Sequence, residues 1–147
     1  MTSIHFVETT LNEQKDLLCR WTERFYSERK RVRIVVDSTA AAQLIDQLLW
    51  TFSQSSFIPH AIFSPGGAAQ PDEPVLITPG EFNVDGFDAL VCDCAADIEF
   101  MSRFDSAVHF ILTDDPKRKE KSRGLWLKAR NSGLNPIHVP SGGKNSK

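Results

Sequence analysis

The chain has no run approaching the roughly 20 apolar residues that a bilayer-spanning helix requires, which excludes a membrane-spanning segment of that kind. Its first ten residues, MTSIHFVETT, lack the basic flank and apolar stretch of a secretory signal. Cysteines number only three, an odd count that argues against a disulfide framework and for a reducing cytosol. Cys92-x-Cys94 is a poor zinc candidate, because Cys19 is distant on the first helix and no histidine has ligand spacing to the pair. The three are read as small buried thiols. GxSxG, Walker, HExxH and paired CxxC motifs are all missing. The best catalytic pairing on offer is His60 or His109 with one of many aspartates, an arrangement that arises by chance in a chain of this size. No catalytic residue, metal or cofactor is therefore assigned, and the chain reads as a non-enzyme. The paired glycines Gly66 and Gly67 fit no phosphate-binding pattern and read as turn residues.

Acid is scarce at one end. Residues 116–147 hold one of the nineteen carboxylates, Glu120, and nine of the seventeen Lys and Arg residues. That end carries about +8 and residues 1–115 about −10, although the net charge is only −2. Such asymmetry implies an anionic partner at the C-terminal end. The acidic body argues against wrapping of duplex DNA around the whole protein.

What is present reads as a single α/β domain over residues 1–140, with 141–147 as a flexible tail. Ile4–Val7, Val32–Val36, Val75–Ile77, Ala89–Cys92 and Val108–Leu112 read as strands. Thr10-x-x-Glu13 is a capping-box pattern opening a helix with Leu11, Leu18, Trp21 and Phe25 on one side. His5 reads as a half-buried strand residue and His109 as a core or edge histidine. Asp37-Ser38-Thr39 caps a second helix at 40–50, Ala95–Arg103 reads as a short one, and Asp114-Asp115-Pro116 opens the last, stopped at Gly133. About five strands alternating with four helices predict a three-layer α/β sandwich with a mainly parallel central sheet and helices on both faces. It is Rossmann-like but has no nucleotide-binding loop.

Two stretches carry candidate chemistry. In the last helix, Lys119, Arg123, Trp126, Leu127 and Arg130 share one face, while Lys117, Lys121 and Lys128 form a second basic strip. Basic groups beside an indole suit a partner that is both acidic and hydrophobic; single-stranded nucleic acid stacking on Trp126 is the alternative. In residues 41–61, Leu44, Ile45, Leu48 and Leu49 mark the apolar face of a helix closed by Trp50. A polar stretch follows, then Phe57-Ile58-Pro59-His60, with Ile58 extended by the proline. Trp50 and Phe57 are either core residues or a docking surface.

The run Leu49-Trp50, a short polar loop, then Ser56-Phe57-Ile58-Pro59-His60 closely resembles the chi subunit family of bacterial DNA polymerase III. The family's segment reads Leu-Trp, a few polar residues, Ser-Phe-Val-Pro-His. The likeness extends to the Arg-Val-Arg-Ile-Val-Val strand, the Pro-Val strand, and the C-terminal basic helix followed by Gly-Leu-Asn. The resemblance implies a non-catalytic accessory subunit of the clamp-loader assembly, acting in the bacterial cytoplasm at the nucleoid-associated replisome. It implies binding of the acidic, phenylalanine-terminated tail of single-stranded DNA-binding protein, with DNA contact indirect. Lys119, Arg123 and Trp126 align with the family's tail-binding face, where the aromatic is usually tyrosine. Lys128 stands one place beyond the usual second basic residue, and Leu134 where an aromatic is common. Trp50, Phe57 and Pro59 match the surface that docks the psi subunit, another clamp-loader component or, in some bacteria, a helicase. The alternatives are a direct single-stranded nucleic-acid binder using the basic helix and a helicase-associated repair adaptor.

Overall fold

The computed structural model describes residues 1–52, 57–63, 72–82 and 84–141. The elements follow as β1 (Ser3–Thr9), α1 (Leu11–Ser27), β2 (Val32–Val35), α2 (Thr39–Thr51), β3 (His60–Ile62), β4 (Val75–Thr78), β5 (Ala89–Cys92), α3 (Ile98–Met101), β6 (Ser106–Leu112), α4 (Pro116–Asn131) and β7 (Asn135–Val139). The strands form one open sheet in the order β3-β4-β2-β5-β6-β1-β7. Every pairing is parallel, not merely most of them. The five expected strands are all present. The two additional ones, β3 and β7, occupy the two edges. β3 has only three residues, and β7 contains Pro136, which cannot donate to a ladder and is tolerated at an edge. Neither has the β-branched run that marks an interior strand.

Strand alternation builds two apolar layers. Val7, Val32, Ile34, Val75, Ile77, Val91, Val108 and Phe110 pack beneath α1 and α2. Ile4, Phe6, Val35, Leu90, Cys92 and Ala107 pack beneath α3 and α4. In α1 the buried stripe is Leu18, Trp21 and Phe25; Leu11, expected on it, is exposed. In α2 the stripe is Ala42, Ile45 and Leu49, while Leu44 turns outward.

The helix starts are set by side chains. Ser38 accepts from the Ala41 amide at 3.1 Å and Asp115 from the Arg118 amide at 3.2 Å. Thr10 departs from the capping-box expectation: its side chain makes no cap bond. The Leu11 amide instead donates to the Asp114 carboxylate, 3.3 and 3.4 Å from its two oxygens, across from the end of β6. Gly133 closes α4 with a φ of 79°, the left-handed value that suits glycine after a helix.

On the face of α3 and α4, no described helix covers the outer half of the sheet. Arg33, buried to 1 % exposure, fills that gap. It donates to the Thr78 hydroxyl at 3.2 Å and to the Gly80, Phe82 and Val84 carbonyls, tying the segment after β4 down as a cover. Its guanidinium also stacks 5.0 Å from the Phe100 ring.

Candidate functional site

α4 lies over the β6–β1–β7 edge of the sheet and is thinly packed. Only Ser122 and Ala129 are fully buried; Leu125 and Trp126 are half-buried against the core. Ser122 is held from below by His109, whose Nε2 lies 2.8 Å from its hydroxyl. Burial lowers the pKa of His109 to about 4, so this ring is neutral near pH 7. Trp126 meets Phe6 edge-to-face with ring centroids 5.0 Å apart.

Between α4 and the sheet edge opens a cleft of about 320 Å³, lined by Phe6, Glu8, Ile111, Lys119, Ser122, Arg123, Trp126 and His138. Phe6, Ile111 and Trp126 make its floor apolar. Lys119 and Arg123 stand exposed on the helical rim, and neither has an ion-pair partner among the described residues. On the opposite wall, His138 Nε2 lies 2.7 Å from Glu8 Oε2, and this bond holds the Glu8 carboxyl below the usual carboxylate range.

Of the residues predicted for this site, Lys119, Arg123 and Trp126 converge on the cleft. Lys128 is exposed on α4 outside the lining, and Leu134 is half-buried against the core beneath α4 rather than in the cleft. Leu127, read on the same face as Trp126, is 53 % exposed and does not line the cleft either. Phe6, Glu8, Ser122, Ile111 and His138 were not anticipated. Alternation puts Phe6 and Glu8 on one face of β1, but only the strand order brings them beside α4 and β7.

The second candidate surface lies at the other edge and on the other face of the sheet. Trp50 and Phe57 are 53 % and 64 % exposed, with ring centroids 5.4 Å apart. That removes the core reading. Trp50 rests on His60, ring centroids 4.7 Å apart, and Pro59 beside them is half-buried. His60 is fixed beneath the pair: Nδ1 is 2.7 Å from the Ile58 carbonyl, and Nε2 is 3.1 Å from both the carbonyl and the carboxylate of Asp46. Thr51 and Phe52 are described from the intervening stretch. Residues 53–56, the Gly66–Gly67 pair and the tail from 142 onward lie outside the described residues.

Open parallel sheets bind ligands where adjacent strands send their helices to opposite faces. Two adjacent pairs meet that description: β1 and β6, followed by α1 and α4, and β2 and β5, followed by α2 and α3. At the first pair the Asp114 carboxylate occupies the α1 N-terminus, taking the position an anionic ligand would fill there. Burial pushes the Cys19 thiol up to about 12, Cys94 to about 11 and Cys92 well above its ordinary value, so none is a thiolate near neutral pH. Among the described residues, no three His, Cys, Asp or Glu side chains gather in a way that could hold a metal ion. No described helix is long and apolar enough to cross a membrane.

A family model described as "DNA polymerase III chi subunit, HolC" matches residues 1–136. No curated protein matches the chain.

Proposed function

The chain belongs to the DNA polymerase III chi subunit family, and from that premise, which makes it an accessory subunit of replication, we propose that it is a non-catalytic adaptor. The α4 cleft takes the acidic, phenylalanine-ended C-terminal tail of single-stranded DNA-binding protein. The Trp50–Phe57–Pro59 surface docks psi, another clamp-loader component or a helicase. The protein works in the cytoplasmic replisome.

One observation carries the tail reading: two cations without an ion-pair partner among the described residues, Lys119 and Arg123, flank an apolar cleft floored by Phe6 and Trp126. Carboxylates of a peptide would meet the cations while its terminal aromatic enters the cleft. Lys128 would add longer-range attraction from outside the lining, and Leu134 would support the floor. Trp126 stands edge-on to Phe6 and half-buried, which favours an apolar side chain over a stacked base. The non-catalytic reading is supported by Asp114, which fills one of the two positions where such a sheet could hold a substrate.

Calorimetric titration tests this with three probes: an acidic peptide ending in Asp-Ile-Pro-Phe, the same peptide without its final Phe, and a single-stranded oligonucleotide. Binding of the intact peptide alone is expected. Arg123→Ala should weaken it about fivefold, as loss of one exposed charge contact of roughly 1 kcal/mol predicts. Oligonucleotide binding with neither peptide bound would make the basic helix a nucleic-acid site.

A further inference from the structure

We propose that His138, held by Glu8, is a third ligand-facing cation of the α4 cleft, and that an acidic ligand binds there with uptake of a proton. The inference rests on the acidic-tail reading and names a group that it leaves out.

Glu8 and His138 come from the two parallel strands β1 and β7 and meet at the cleft wall. Both Glu8 oxygens are engaged. Oε2 receives the His138 ring at 2.7 Å, and Oε1 accepts the Ser141 amide at 3.2 Å. A carboxylate can only accept, so Nε2 is the ring nitrogen that carries hydrogen. Nδ1 has no hydrogen-bond partner among the described residues. In a neutral ring Nδ1 bears a lone pair, which repels a carboxylate oxygen; in the imidazolium it donates to one.

The charged and titratable groups facing the ring are few. Glu8 stands on β1, and Lys119 and Arg123 stand on α4. His109 lies behind Ser122, neutral and already bonded. The rest of the lining is the apolar Phe6, Ile111 and Trp126. An arriving carboxylate offsets the two α4 cations and gives Nδ1–H an acceptor. Both effects favour the imidazolium in the complex, so binding draws a proton from solvent. The same geometry settles an apparent contradiction, an acidic side chain in a cleft built for acids. His138 and the Ser141 amide cover the Glu8 oxygens, so the ligand meets the ring rather than a bare like charge.

The test is titration of the full chain with the acidic peptide ending in Asp-Ile-Pro-Phe, in phosphate and in Tris at equal pH and ionic strength. Wild type should show a buffer-dependent enthalpy equal to a fraction of a proton taken up. Its affinity should rise by about threefold or more from pH 8 to 6, below the ceiling of about tenfold per pH unit for one proton. His138→Gln keeps a donor for Glu8 and should show neither effect. NMR titration of the wild-type His138 ring with and without peptide gives the same answer without a variant, as a raised midpoint in the complex. Buffer-independent enthalpy in wild type, uptake persisting in His138→Gln, or an unmoved midpoint overturns the proposal while the tail reading stands. Failure of the peptide to bind at any pH overturns both.

Discussion

Among the described residues the hydrogen-bond partners of buried Arg33 are all neutral, one hydroxyl and three backbone carbonyls, with Glu81 attracting it only at longer range. Burial lowers its pKa to about 10, still far above neutrality, so it stays a cation and every one of those bonds is charge-assisted. Arg33→Ala should destabilise the fold by about 3 kcal/mol or more, since it leaves buried carbonyls unpaired and frees the cover over β2 and β4. Denaturant unfolding measures it. His109 makes the opposite kind of claim. Its pKa is ordinary, 6.5, in the unfolded chain and about 4 when folded. Between those values the unfolded state binds the extra proton, so stability is full above pH 6.5 and falls as pH drops toward 4. The whole shift corresponds to about 3 kcal/mol, and His5, also lowered by burial, acts in the same sense. His109→Gln, which retains a donor for Ser122, should flatten most of this acid loss in urea melts at pH 4.5 and 7.

At the scale of elements, the start of α1 is fixed by a residue 103 positions away. Asp114→Ala should therefore cost about 1 kcal/mol, whereas Thr10→Ala, which removes no cap bond, should cost only a few tenths. Thermal melts of the two variants separate these outcomes. The capping-box pattern at Thr10-x-x-Glu13 located the helix correctly and misassigned its cap, because local sequence cannot register a carboxylate supplied from another βα loop. The helices and the five interior strands were legible in the sequence because each carries its own periodicity. The edge strands were not, because a parallel edge strand is defined by its neighbour rather than by its composition. The α4 rim of the cleft was legible for the same reason as the helices. Its β1–β7 wall was not, since Phe6, Glu8 and His138 become neighbours only through the strand order. Trp50 and Phe57 illustrate a different limit: an aromatic at a helix end reads alike whether it turns inward or outward. Trp50→Ala should leave stability within about 1 kcal/mol, as its exposed position implies, while abolishing capture of a psi-type or helicase partner in pull-down. Loss of the fold would instead make its contact with His60 a structural one and count against the docking surface.

Across the whole molecule, the two surfaces lie at opposite edges and on opposite faces of one sheet, joined by interior strands with both faces covered. The proposed adaptor role needs this separation, because two partners then do not compete for space. The opposite charges of the body and the C-terminal end give the two surfaces different physical character. Peptide binding at the α4 cleft should weaken severalfold between about 50 and 300 mM salt, as screening of exposed charges requires, while docking at the Trp50–Phe57 surface should hardly change. Surface plasmon resonance across a salt series distinguishes them. The strand order also has a consequence in time. β1 pairs only with β6 and β7, which begin at Ser106 and Asn135, whereas β2 can pair with β4 and β5 much earlier in the chain. At translation speeds of about 5–20 residues per second, β1 waits roughly 5–20 seconds for its first neighbour. The Trp50–Phe57 half of the molecule can thus be assembled while the cleft does not yet exist. A nascent or truncated chain ending before β7 lacks His138 and half of the cleft wall, so competence at the cleft reports that synthesis has run through that strand.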